Sequence, residues 1–223
     1  KSMEEYRYME ILIEDESGGI LVDHILKKYI QERDNIQYRI HKFKGIGKIP
    51  KKLKVDQLKT RKLLTDLPAY LEGMDSYMKK MPGKKAVFVI VDADREDCAE
   101  LKRRLVELKQ QLKIETQVFF CIAIEEIEAW ILGDQDALLE AYPEAKRGIL
   151  QKYVADSVVG TWELLADAIH KGGSQELKKN SSSYEAGKFK CECATQVGPR
   201  MILERNISPS FKYFIGKLDL VCG

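Results

Sequence analysis

Hydrophobic and polar positions alternate between two periods along the chain. Tyr8 to Ile13 is a continuous apolar run broken only by Glu10, and predicts a buried strand. Gly18-Gly19 supplies a tight turn, after which Ile20, Leu21, Ile25 and Leu26 recur at helical spacing. From Gln37 to Phe43 the period drops to two, with Ile36, Tyr38 and Ile40 set against Gln37, Arg39 and His41, which predicts a second, half-exposed strand. A Gly-rich loop, Gly45 to Pro50, leads to a helical pattern over about Val55 to Lys80, with a break expected near Pro68. Lys85 to Val91 is β-rich and apolar throughout, as a central parallel strand requires. Ala99 to Leu112 carries Leu101, Leu105, Leu108 and Leu112 on one helical face, and Thr116 to Ile124 is a fourth apolar strand.

Beyond it, Glu125 to Leu132 reads as a short helix ended by Gly133, and Asp134 to Ala141 as another stopped before Pro143. Strands alternating with helices predict an α/β fold: a parallel sheet of about four strands with helices on both faces. After Tyr142 the pattern becomes mostly helical. Ala145 to Val154, Thr161 to Ile169 and Lys188 to Leu203 are expected helices, the last interrupted by Gly198-Pro199. The Ser-, Gly- and Lys-rich stretch from Gly172 to Gly187 is expected to be mobile, and Ser208-Pro209 reads as cap and first turn of a final helix. The division expected is an α/β domain over residues 1–132 and a helical C-terminal extension over 133–223 packed on it.

Composition narrows the class. A chain of 223 residues with 44% hydrophobic residues can bury a core, and a net charge of +2 says little about partners until its distribution is considered. Bases crowd residues 39–62, where Arg39, Lys42, Lys44, Lys48, Lys51, Lys52, Lys54, Lys59, Arg61 and Lys62 face only Asp56. A solvated helix and loop would account for such a block; so would a surface for a phosphodiester backbone, with Lys42, Lys44, Lys48, Lys51 and Lys52 as its contacts. An odd count of cysteines, Cys98, Cys121, Cys191, Cys193 and Cys222, argues against a disulfide framework, and Cys191-x-Cys193 lacks the second pair a zinc site needs. With no signal peptide and no membrane-length apolar run, the expected compartment is the cytoplasm, without membrane association.

The chemistry sits where the apolar runs end. Glu14 follows the first strand, Asp92 and Asp94 the third, and Glu125, Glu126 and Glu128 the fourth. In a parallel α/β sheet ligands bind beyond the carboxyl ends of the strands, so these acids would converge in one crevice. Clustered carboxylates repel unless a cation lies among them, and Mg²⁺ (or Mn²⁺) is the natural candidate for hard oxygen ligands. Asp92 and Asp94, two apart in an extended segment, would point to the same side roughly 6.5–7 Å apart, suited to one ion or a pair. Glu14, Asp92 and Asp94 are the expected catalytic residues and metal ligands, with Glu126 or Glu128 adding ligands for a second ion. The competing explanation is helix capping, which suits Glu96 and Asp97 better than a metal does. The amides of Ser17, Gly18 and Gly19 at a helix start could receive phosphate. Trp130 and Cys121 read as core. His24, His41 and His170 make no catalytic pattern, and neither a P-loop nor a Gly-x-Ser-x-Gly elbow is present.

Ile13-Glu14-Asp15-Glu16-Ser17-Gly18, Val91-Asp92-Ala93-Asp94 and the β/α order between them resemble a Toprim domain, the fold of topoisomerases, primases and several nucleases. The resemblance covers roughly the first 130 residues. It implies a Rossmann-like sheet, Mg²⁺ bound by Glu14, Asp92 and Asp94, and Glu14 as a general acid or base. Many such domains have Gly after the strand-end Glu; here Asp15 stands there. The full length, through Ala123 to Trp130, Gly187 to Glu192 and Asn206 to Phe211, is similar to an uncharacterised bacterial Toprim-like family linked to ATPase-associated defence systems. That similarity implies a nuclease with an ATPase partner on a separate chain, and homo-oligomers are common among small proteins of this type. The chain is too short for a gated topoisomerase, and no primase module is visible. The alternative function is a non-catalytic binding or assembly module.

Overall fold

The computed structural model describes residues 5–52, 60–94, 96–157, 160–179 and 183–223. Four strands, β1 (Arg7–Ile13), β2 (Ile36–Lys42), β3 (Lys84–Asp92) and β4 (Gln117–Ala123), form one sheet in the order β2-β1-β3-β4, every pair parallel. The crossovers are α1 (Glu16–Ile30), α2 (Leu63–Met78) and α3 (Cys98–Gln111). The helical C-terminal part holds α4 (Glu128–Leu132), α5 (Gln135–Ala141), α6 (Arg147–Leu150), α7 (Thr161–Ile169), α8 (Gly173–Lys178), α9 (Ser183–Val197) and α10 (Pro209–Cys222). The fold is therefore α/β. β1 and β3, the apolar runs, take the centre, and the alternating strand β2 takes an edge.

Side chains along a strand alternate between faces, and the core divides accordingly. Met9, Ile11 and Ile13 of β1 and Ala86, Phe88 and Ile90 of β3 pack with α1, α9 and α10. Leu12 and Val87, Val89 and Val91 pack on the other face against Leu67 and Leu71 of α2 and Leu101, Leu105 and Leu108 of α3. The C-terminal part shares the first core. Trp130, fully buried, stacks on Phe214 at 5.3 Å, donates its indole N–H to Ser210 Oγ at 2.9 Å, and Phe214 meets Phe88 at 5.8 Å.

Several boundaries differ from the pattern. Residues 53–59 lie outside the described residues, and the described helix begins at Leu63, where the Asp66 carboxylate takes the amides of Thr60 and Arg61. It runs through Pro68 unbroken, because Leu64, Leu67 and Leu71 are buried and offset the one hydrogen bond a proline removes. The helix expected over Ala145 to Val154 shrinks to the single turn α6, which contains Gly148 and whose preceding Lys146 amide is drawn to Ala168 C=O. The Gly172 to Gly187 stretch, expected to be mobile, carries α8 and the start of α9; residues 180–182 lie outside the described set. α9 stops at Gly198, where Gly198–Arg200 forms a 3-10 turn.

Candidate functional site

β1 and β3 end side by side, so the residues at their carboxyl ends meet at one rim. The register pairs Ile13 with Ile90 and Asp92 with Ala123. Glu14 leaves β1 and turns its carboxylate to the backbone N–H of Asp92, which donates to Oε2 at 3.2 Å. Asp92, the last residue of β3, is buried, and among the described residues its carboxylate accepts no hydrogen bond. The residue after Glu14, Asp15, caps α1: its side chain accepts from Gly18 N–H at 2.7 Å with an extended backbone (φ −145°), so no glycine is needed there. Gly18 and Gly19 amides are both taken by Asp15, so neither is open to a phosphate. A side chain at position 18 would crowd this junction, since a Cβ would come 2.9 Å from Ile13 Cδ1 and 3.0 Å from the capping Asp15 oxygen where the helix folds back on the strand.

Asp94 does not follow the extended spacing. The strand ends at Asp92, and Asp94 lies in a left-handed turn (φ 48°) that donates its amide to Glu125 C=O at 2.8 Å. Glu125 is itself left-handed (φ 63°). Non-glycine residues in this region cost roughly 1–3 kcal/mol each and cluster where a site needs a particular orientation. Asp97 caps α3 by accepting from Glu100 N–H at 2.8 Å, whereas Glu96 pairs with Arg104 at 2.6 Å and caps nothing.

The acids after β4 split by role. Glu125 accepts from Gly160 N–H, Thr161 N–H and the Thr161 hydroxyl, and Glu126 accepts from Trp162 N–H at 3.0 Å. Together they hold the N-terminus of α7, which starts after a Gly with no side-chain cap of its own. Glu128 opens α4, is 1% exposed, and its Oε2 makes no hydrogen bond. Glu125 and Glu128 do not share a helical face, because the helix begins only at Glu128.

A lysine from the C-terminal part enters this cluster. Lys190 of α9 places Nζ 3.3 Å from Glu126 Oε1 and 3.7 Å from Glu128 Oε2, with its side chain 16% exposed. Burial disfavours its charge, but Glu128, Glu126, Asp92 and Asp15 outweigh that and hold its pKa above the ordinary lysine value. The acids shift the opposite way. Burial, reinforced by Asp15 and Asp94, pushes Glu14 up to about 7 against the relief of the Asp92 amide. Burial and the neighbouring Glu14 and Glu128 raise Asp92 well above the carboxylate range. Burial and Glu128 push Glu126 up to about 7; Glu128 and Asp94 are raised as well, chiefly by burial, with Lys190 opposing. One lysine is too little positive charge for Glu14, Asp92, Glu126 and Glu128 at this depth.

Lys190 is not among the expected site residues, although it lies in the Gly187 to Glu192 stretch that carries the family similarity. Helical spacing gives a second signal: Lys190, Ala194 and Val197 fall on one stripe, and the latter two are buried.

The basic segment lies at the same rim. Phe43 N–H donates to Ile13 C=O at 2.9 Å and Gly45 N–H to Glu14 C=O at 3.0 Å, so the loop after β2 hangs from the end of β1. Lys42 pairs with Glu16 at 2.5 Å and lies against Gly19, where a Cβ would clash with it. Lys44, Lys48, Lys51 and Lys52 are exposed, and among the described residues their ammonium groups have no ion pair or hydrogen bond. His41 turns away from this loop to Glu10, at 2.6 Å.

Two observations bear on a divalent ion here. Among the described residues no three acidic, histidine or cysteine side chains form a ready-made metal cage. Yet Mg²⁺ is commonly held by one or two carboxylates with water and phosphate completing its shell, and the rim offers the buried Asp92 carboxylate beside Glu14. The donor set fits such an open site. Among the described residues no helix is long and apolar enough to cross a membrane.

Over residues 13–219 the chain matches the family described as Domain of unknown function (DUF4276), a span that takes in the acids of the rim, Lys190 and most of α10. No curated protein and no solved structure matches it. Because the match covers most of its length, from the last residue of β1 into the final helix, the chain belongs to the DUF4276 family.

Proposed function

We propose that this protein is a Mg²⁺- or Mn²⁺-dependent phosphodiesterase acting on nucleic acid, a nuclease of Toprim type. The observation that carries this proposal is a buried carboxylate rim, short of positive charge, beside a loop of unpaired exposed lysines. Glu14 and Asp92 would hold the ion, with Asp94 at its edge. When bound, the ion would lower the pKa of a coordinated water and neutralise charge developing on a scissile phosphate. The protein's own groups do the rest. Lys44, Lys48, Lys51 and Lys52 would bind the flanking backbone, and Lys42 would orient the loop through Glu16. Were the ion held by Asp92 and Asp94 alone, Glu14, which burial raises to about 7 in the metal-free rim, would instead be suited to exchange a proton with the attacking water or the leaving oxygen at neutral pH. Five free cysteines suit a reducing compartment such as the cytosol, and the family resemblance supports an ATPase partner on a separate chain.

The test is cleavage of DNA and RNA in Mg²⁺ by the wild-type protein and by the Asp92→Asn, Asp94→Asn double variant. Activity confined to the wild type supports the proposal, and undiminished cleavage by a folded double variant refutes it. A specific observation favours a second function, a non-catalytic binding or assembly module: Lys190 already pairs with Glu126 and Glu128, so part of the acid cluster is balanced within the fold. Metal-induced stabilisation without turnover, alone and with nucleic acid, would select that module.

A further inference from the structure

We propose that Lys190 takes the place of a second metal ion, so that the rim binds a single divalent cation between Glu14 and Asp92. This rests on the metal-dependent function proposed above. Two groups of acids meet at the rim. Glu14 and Asp92 come from adjacent strand ends and are joined by a backbone N–H, with no basic side chain hydrogen-bonded to either among the described residues. Glu126 and Glu128 follow β4, where the ligands of a second ion would have to be found. There the position is taken: the ammonium stands 3.3 Å from one carboxylate and 3.7 Å from the other, on a side chain only 16% exposed.

The lysine is built in rather than draped over the rim. α9 packs along α1, the helix that begins directly after Glu14 and Asp15, and Phe189, Cys193, Ala194 and Val197 anchor it in the core. Phe189 on one side and Cys193 and Ala194 a turn further on are buried, which fixes where the lysine stem leaves the helix. A second divalent ion would have to displace this ammonium or lie against it, and like charges at such range in a poorly solvated site repel strongly. A tethered single charge also cannot dissociate, so the C-terminal part would supply one positive charge to the Glu126 and Glu128 pair at every metal concentration. Glu128, only 1% exposed and in the same cluster as Asp92, has its Oε2 3.7 Å from this ammonium, so it stands with the lysine and not with the one ion that binds.

Counting bound Mn²⁺ tests this on the full chain, by calorimetry and by the loss of the free-ion paramagnetic signal. The wild-type protein should bind one Mn²⁺, and Lys190→Ala should bind two, the new site vanishing when Glu126→Gln is added. Lys190→Arg should restore the count of one. Two ions in the wild type, or one ion in a Lys190→Ala protein with native circular dichroism, overturns the proposal. Should Lys190→Ala not fold, Glu126→Gln alone decides. Its single site should keep a dissociation constant within about threefold of wild type, and a tenfold loss would show Glu126 to be a metal ligand. The two proposals fail separately. Two ions with cleavage leaves the nuclease standing and removes the lysine surrogate. One ion without cleavage does the reverse, and no ion removes both.

Discussion

Replacing Glu14 by Gln should make the metal-free protein more stable at pH 8 and leave it unchanged at pH 4. Glu14 sits in the buried rim, and burial together with Asp15 and Asp94 lifts its pKa from 4.5 to about 7. Below pH 4.5 the group is protonated in both the folded and the unfolded chain, and its contribution to stability is fully present. Between 4.5 and about 7 the unfolded chain releases the proton while the folded one keeps it, so stability falls as pH rises. The gap between the two values, at about 1.4 kcal/mol per pH unit, comes to about 3 kcal/mol lost by pH 8. Gln keeps an oxygen for the Asp92 amide but carries no charge, so its variant should lack this loss. Urea unfolding in the presence of a chelator, at half-unit steps from pH 4 to 8, measures it. Wild-type and variant stabilities that stay parallel across the series would refute the electrostatic account of the rim. Adding Mg²⁺ at pH 8 should then return stability to the wild type and not to the variant, because the ion would neutralise the carboxylate that the variant lacks.

The packing and the surface give three further expected outcomes. Asp134 has a fully buried side chain that accepts from Arg205 at 2.7 and 3.1 Å and from the amides of Ile202 and Ala137, so Asp134→Ala, which leaves those amides without an acceptor, should cost about 1–3 kcal/mol in urea; an unchanged midpoint would contradict the role of this hub. Phe214→Ala, opening a hole between Trp130 and Phe88, should cost about 3–5 kcal/mol and lower the thermal midpoint in one cooperative step, whereas separate melting of two parts would show that the C-terminal helices do not share the sheet's core. Replacing Lys44, Lys48, Lys51 and Lys52 together by Ala should weaken nucleic-acid binding and flatten its salt dependence on a duplex, by about 0.9 in log–log slope for each phosphate that a lysine no longer neutralises; an unchanged slope would place the substrate elsewhere.

Most of the sheet was legible because its signals are local. The period-two run of β2 and the uninterrupted apolar runs of β1, β3 and β4 report which faces are covered, and parallel order follows from the helices between them. Caps were legible for the same reason: Asp97, Asp134 and Ser208 each bond to an amide three residues on. Errors fell where distant contacts overrule local preference. α2 survives Pro68 because the sheet buries its face, and α6 shortens because its neighbours offer other bonds.

For the site, the chain by itself determined which acids stand at strand ends, since a strand's end is marked by where its apolar run stops. It also determined that the lysine block follows β2 and so lies near Glu14. What only the tertiary structure decided is how those acids are divided. Glu125 and Glu126 turn to the amides of α7, Glu128 is sealed in the core, Asp94 enters a left-handed turn, and Lys190 arrives from a helix about 60 residues beyond Glu128. The physical reason is range. Periodicity and capping act over one or two helical turns, whereas the pairing of a buried charge depends on whatever the whole fold brings within a few ångströms of it.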